Sequence, residues 1–231
     1  MHSLLLLNGS PRGPRSNSLK MLLHLAEGWQ QAGGAVPEVL HLARAADFAR
    51  AVEMFPRTDT VLMGMPLYAD AMPALVKGYL EAVATGGVPV TCVTDTRITV
   101  LAFLVQSGFS EPLHSRPLER YWEKLASRMG CAYAGTVIYG GGEALQMRPE
   151  RSYGKLWRQL RALGGQLATT GAFHAADLAA VAGRERFSPW AVKLAQWAFN
   201  LPVTQFYWNG QLKRNGAWEL RFAAPYGDSA R

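Results

Sequence analysis

Residues able to hold an anion cluster at one place in the chain, directly after a short apolar run. Leu4-Leu5-Leu6-Leu7 gives way to Asn8-Gly9-Ser10-Pro11-Arg12-Gly13-Pro14-Arg15-Ser16-Asn17-Ser18, and an amphipathic pattern begins at once. That order reads as a buried strand, a polar loop and a helix N-terminus. The first turn of a helix has backbone N–H groups with no partner inside the helix, and its dipole adds partial positive charge. Ser10, Ser16, Asn17 and Ser18 add short donors, Arg12 and Arg15 add charge, and Gly9 permits a sharp turn. A phosphate-like anion suits this chemistry. The competing reading is a polar strand-to-helix turn, capped by Ser or Asn, with nothing bound. The loop is neither a P-loop, since no Gly-Lys-Ser/Thr follows Gly9 at the required spacing, nor G-x-G-x-x-G.

Further candidate loops follow later apolar runs. Pro66 to Met72 follows Thr60–Met65, Gln106 to His114 follows Ile98–Val105, and Gly140-Gly141-Gly142 follows the run 132–139. Ligands of open α/β sheets bind at the carboxyl ends of strands. Tyr68 can stack on a flat ring or simply pack as a surface aromatic. His114 and Glu111 can handle protons, or His114 can cap the helix starting near Ser115. The three glycines either let a ring or phosphate approach the backbone or relieve a turn. Cys92 and Arg97 do not make a Cys-x5-Arg loop, and no Gly-x-Ser-x-Gly elbow surrounds Ser110.

Alternating strands and helices must position these loops. Strands are expected at 3–7, at Val39–Leu42, at 60–65, at 98–105 and at 132–139. A helix runs to about Gln31, with Leu19, Leu22, Leu23, Ala26 and Trp29 on one face. Further helices cover 43–55, the stretch with Leu75, Val76, Tyr79, Leu80 and Val83, and the stripe Leu118, Tyr121, Trp122, Leu125 and Met129. Tyr153, Leu156, Leu160, Leu163 and Leu167 mark a closing helix. Residues 84–97 read either as a local hairpin or as a flexible insertion. Alternation alone supports a parallel sheet between helical layers.

Three motifs, in order, carry a resemblance. Asn8-Gly9-Ser10-Pro11-Arg12 with Ser16-Asn17-Ser18 resembles the phosphate loop of the NADPH-dependent FMN reductase and flavodoxin-like NAD(P)H oxidoreductase superfamily. Met65 to Lys77 is similar to its loop facing the isoalloxazine ring, and Tyr139 to Leu145 to the Gly-rich end of its last strand. Ser107-Gly108-Phe109-Ser110-Glu111 resembles a further cofactor-side loop, with Ser110 where the family often has Pro. The resemblance implies a three-layer α/β sandwich with a parallel five-stranded flavodoxin-like sheet. It implies FMN with its phosphate on Ser10, Arg12, Ser16, Asn17 and Ser18, and its ring against Pro66, Leu67, Tyr68, Ala69, Ser107, Gly108, Phe109, Gly140, Gly141 and Gly142. Backbone N–H groups near Leu67 to Ala69 would face the ring nitrogen that carries the hydride. NADPH or NADH would be co-substrate, and a quinone-, azo-, nitro- or flavin-type acceptor would follow it into the same cleft. No side chain is required as acid or base, and Tyr68 and His114 are the catalytic candidates. A homodimer is implied as well. The alternative is a non-catalytic flavodoxin-like FMN- or anion-binding protein or electron carrier.

Composition sets the remaining bounds. The chain has 231 residues, 49% of them hydrophobic, enough for a sizeable core. Its two cysteines have no metal-ligand spacing. This argues against an iron–sulfur site or a disulfide scaffold, and fits a reducing, cytoplasmic compartment. The formal net charge is +7, on scattered basic residues with no nucleic-acid motif. Electron-carrier flavodoxins are typically acidic, so this charge favours a reductase. No apolar run is long enough to span a bilayer. Residues 1–171 read as the FMN-binding domain and 172–231 as a helical, aromatic-rich extension packed on it. Within the extension Trp190, Leu194, Trp197 and Leu201 share a helix face, followed by Phe206, Tyr207 and Trp208. The segment suits a peripheral membrane contact, a subunit interface, a roof over the site, or plain packing.

Overall fold

A computed structural model describes residues 2–85, 93–94, 97–199 and 205–223. Five strands make one sheet, with every neighbouring pair parallel: β1 (Leu4–Asn8), β2 (Glu38–His41), β3 (Thr60–Pro66), β6 (Val100–Gln106) and β7 (Ala132–Tyr139), in the order β2-β1-β3-β6-β7. The short strands β4 (Val93–Thr94) and β5 (Arg97–Ile98) pair antiparallel with each other. That pairing is the hairpin alternative for 84–97; residues 86–92 and 95–96 lie outside the described set.

The pleat explains the apolar runs. Successive residues of a strand face opposite sides of the sheet, so a strand covered on both sides must be apolar throughout. Leu5 and Leu7 enter one core with Val61, Met63, Leu101 and Phe103. Helices α2 (Ala45–Met54), α3 (Ala74–Thr85) and α4 (Arg116–Arg128) cover it through Ala51, Val76, Tyr79, Leu118 and Trp122. Leu4 and Leu6 enter the other core with Leu62, Ala102 and Leu104, beneath α1 (Asn17–Gln31) and α5 (Gly154–Thr170). This is the three-layer flavodoxin-like arrangement that the motifs implied.

Two helical positions depart from expectation. Leu23 and Tyr121 are half-exposed, whereas Met21, Leu25 and Trp122 are fully buried. The Trp122 ring stacks on Phe103, centroids 4.5 Å apart. The helices α1 and α5 cross so closely that a Cβ on Gly28 would lie 1.8 Å from the Arg161 carbonyl oxygen, and one on Gly164 would lie 1.9 Å from that of Leu25. Only glycine permits that approach, which seats Trp29 and Leu160 in the same core.

Helix α6 (Ala175–Ala182) belongs with this unit: Phe173 and Val181 are core residues, and the Phe173 N–H donates to the Ala134 carbonyl at 2.9 Å. The chain divides into compact units 1–186 and 187–231. The second holds α7 (Pro189–Phe199) and α8 (Phe206–Arg214). Leu201 of the expected aromatic face lies outside the described residues, as does Cys92. Cys131 is disulfide-bonded, whereas the cysteine count and spacing pointed away from a disulfide scaffold.

Candidate active site at the carboxyl edge of the sheet

Asn8, the last residue of β1, is fully buried and organises the first loop. Its Oδ1 accepts from the Ser10 N–H at 3.2 Å and from Ser16 Oγ at 3.1 Å, and its Nδ2 donates to the Gly13 carbonyl at 2.8 Å. A backbone N–H can only donate and a carbonyl can only accept, so these partners determine which way the amide faces. The second contact of Nδ2, His41 Nδ1 at 3.0 Å, must then be the acceptor. His41 is therefore the neutral tautomer protonated on Nε2. Burial, reinforced by the Arg44 charge, holds His41 below its ordinary value. Ser16 caps α1: its Oγ accepts from the Leu19 N–H at 3.1 Å while donating to Asn8. The Gly9 N–H donates to the Gly64 carbonyl of β3 at 2.8 Å.

The loops then join edge to edge. Asn17 Nδ2 donates to the Gly142 carbonyl at 2.7 Å, tying the β1 loop to the β7 loop. The Gly141 and Gly142 N–H groups donate to the Phe109 and Ser107 carbonyls at 2.8 and 2.7 Å, tying β7 to β6. The Leu67 N–H donates to the Gln106 carbonyl at 2.8 Å, tying β6 to β3. The glycine run serves this packing. A Cβ on Gly140 would lie 2.4 Å from the Ser110 carbonyl oxygen and one on Gly142 would lie 2.0 Å from Gln106 Oε1, while Gly141 takes φ +73.

Beyond β3 the chain makes a tight reversal. Tyr68 and Ala71 exchange both backbone hydrogen bonds at 2.9 Å, and the two residues between them, Ala69 and Asp70, take φ 46 and 59. A two-residue reversal with both centres at positive φ is the type I′ pattern, which glycine or asparagine would adopt more cheaply. The N–H groups of Leu67 and Tyr68 are spent within the protein; Ala69 N–H has no partner among the described residues.

A cavity of about 70 Å³ sits where these loops meet. It gathers Ser10, Arg12, Asn17, Pro66, Leu67, Tyr68, Ser107 and Gly108, together with Gln106 and Glu143. Arg12 and Glu143 face each other with their closest atoms, Nη1 and Oε1, 3.3 Å apart. Ser18 Oγ, in the first turn of α1, is buried with no hydrogen-bond partner. Ser16 and Asn17 also line a wider recess of about 580 Å³ with Arg15, Lys20 and Arg148.

Phe109 and His114 lie elsewhere than the cavity wall. Their rings pack at 4.5 Å, and His114 Nε2 is 3.9 Å from Glu111 Oε2. Ser18, Ala69 and Gly140 to Gly142 are also off the wall, although the glycines hold its loops. Three contributors escaped the sequence reading. Asn8 stood in the motif without a role, since an asparagine ending a strand gives no sign of its hydrogen bonds. Gln106 and Glu143 stood inside the loops read from the sequence but were given no role; their position beside Ser107 and Gly142 was the available signal.

A family model described as flavodoxin-like fold matches residues 2–152. Among solved structures, an FMN-dependent NADH-azoreductase from Bacillus anthracis, in complex with FMN, superposes with TM-score 0.56 at 14% identity, covering 73% of this chain and 100% of that one. The NAD(P)H:quinone oxidoreductase from Methanothermobacter marburgensis gives TM-score 0.54 at 19% identity, covering 75% and 100%. An NADH:FMN oxidoreductase in its apo form gives 0.55 at 14%, covering 83% and 99%. No curated protein matches the chain significantly. With sheet order, loop placement and family model in agreement, the chain belongs to the family of flavodoxin-like fold.

Proposed function

We propose that this protein is an FMN-dependent NAD(P)H oxidoreductase that passes reducing equivalents to a quinone-, azo-, nitro- or flavin-type acceptor in a ping-pong cycle. The observation that carries the reading is the cavity at the carboxyl edge of the sheet, where Ser10, Arg12 and Asn17 of the loop leading into α1 face Pro66, Leu67, Tyr68, Ser107 and Gly108. Short donors and an arginine at a helix N-terminus suit a phosphate. The names of the solved relatives, azoreductase, quinone oxidoreductase and FMN oxidoreductase, support the same chemistry.

Bound FMN would supply the hydride chemistry, accepting from the nicotinamide and delivering to the acceptor. The chain's own residues bind and orient. Ser10 and Asn17 would hold the phosphate with the α1 dipole; Ser18, assigned to it from the resemblance, is fully buried and off the cavity wall. Arg12, half-exposed and paired with Glu143, can exchange that carboxylate for phosphate at little cost, since exposed ion pairs are weak. Ser16 acts through Asn8 and the helix cap, positioning the loop. Pro66, Leu67 and Tyr68 with Ser107 and Gly108 form the ring wall, and the Ala69 N–H is the donor left for the ring edge. Tyr68, 45% exposed, is placed to shield a ring face. His114 stands off the wall, on Phe109, and is kept as a candidate for protons at the acceptor side. NADPH use and a homodimer rest on the resemblance to the reductase superfamily.

Ser10→Asp tests the reading. FMN affinity should fall about tenfold or more, because a carboxylate on the cavity wall opposes the phosphate charge. Flavin titration measures it. Unchanged FMN affinity would remove the assignment. In the wild type, oxidised-flavin absorption should survive desalting after FMN is added and bleach with anaerobic NADPH. Bands that persist without bleaching would favour a carrier.

A further inference from the structure

Residues 187–231 form the second compact unit, and none of its described residues is buried. Helices α7 and α8 have 11 and 9 residues. Isolated helices shorter than about 12–15 residues are marginal in water, and proteins stabilise them by burying an apolar face. Here the apolar side chains stay outside: Trp190, Trp197 and Trp208 are 71%, 64% and 65% exposed. A surface of this kind marks a partner.

Charge identifies the kind of partner. From Phe187 to Trp218 there is no Asp or Glu, whereas Lys193, Lys213 and Arg214 are present. Trp190, Lys193 and Trp197 stand at i, i+3 and i+7 of α7, on one stripe. Charged residues are depleted at the core of protein–protein interfaces, which counts against a lysine within an aromatic stripe there. At a lipid headgroup layer the pattern is consistent: tryptophan favours that layer, and a lysine stem lies along apolar surface while its ammonium reaches phosphate. Lys213 Nζ, in the last turn of α8, lies 4.9 Å and the Arg221 guanidinium, beyond it, 4.1 Å from the Trp218 ring, again pairing cation with aromatic. Among the described residues no helix is long and apolar enough to cross a membrane.

We propose that this unit is an interfacial anchor for an anionic lipid surface, its tryptophans entering the headgroup boundary while Lys193, Lys213 and Arg214 meet lipid phosphate. The inference is independent of the redox reading.

The test is co-sedimentation of the full chain with vesicles of phosphatidylcholine, alone or with about one third phosphatidylserine. Anionic vesicles should bind at least about tenfold more tightly at low salt, and the advantage should shrink in concentrated NaCl. Lys193→Gln/Lys213→Gln should lower anionic binding about tenfold or more. Trp190→Ser/Trp197→Ser should abolish it with far-UV circular dichroism unchanged. Equal binding to both vesicles, or none, overturns the proposal. So does an absence of vesicle binding accompanied by a dimer in sedimentation velocity that the tryptophan substitutions dissolve, which would assign the face to a second copy of the chain.

Discussion

The loops after β1 and β3 lie against the same cavity and are held in opposite ways. The β1 loop is pinned from inside by Asn8, a buried side chain with four partners. The β3 loop closes outside, through two backbone hydrogen bonds around two non-glycine residues at positive φ. Buried side-chain bonds are expensive to lose, because each broken one strands a desolvated group. An exposed turn loses little, because water replaces what it gives up. The first arrangement makes a rigid loop; the second leaves a turn that can adjust.

The sharpest way to break this contrast is Asn8→Ala. It strands the Ser10 N–H, the Gly13 carbonyl and His41 Nδ1, and leaves Ser16 without its acceptor. The expected loss is about 3 kcal/mol or more. Urea denaturation measures it, and a loss below about 1 kcal/mol would mean that water replaces Asn8 and the loop is not pinned.

A smaller effect comes through His41. Its pKa is lowered in the folded protein, so above 6.5 the ring is neutral in both states and its contribution to stability is complete. As pH falls through 6.5 toward the folded value, the unfolded chain takes a proton that the folded ring resists, and stability is lost. Protonation would also remove the lone pair that accepts from Asn8. Thermal midpoints measured from about pH 7.5 to about 5 should fall, and His41→Gln, which cannot titrate, should flatten that part of the slope. An identical slope in the variant would place the acid sensitivity elsewhere.

Ala69→Gly should have the least effect. Glycine relieves the positive φ but adds freedom to the unfolded chain, so stability should change by less than about 1 kcal/mol. A loss of several kcal/mol in the same denaturation assay would show that the β3 loop is as rigid as its neighbour.

Much of this was legible in the chain. Short, fully apolar runs such as Leu4–Leu7 and Val100–Val105 read as strands covered on both faces, and their alternation with helical stripes points to a parallel sheet. Polar and glycine-rich stretches after those runs place the loops on one edge. These features are local: they follow from periodicity and from what each residue type does to its own backbone. Pairings between distant residues are of another kind. Glu143 meets Arg12 131 positions away, Asn17 meets Gly142 across 125, and Gly28 and Gly164 meet the opposite helix backbone. The use of the Leu67 and Tyr68 N–H groups inside the protein, and the orphaned hydroxyl of Ser18, likewise depend on which groups the packed sheet brings within hydrogen-bond reach. Residue type determines what each group can donate or accept; only the tertiary structure decided which partners were left to it, and therefore which groups remain for a ligand.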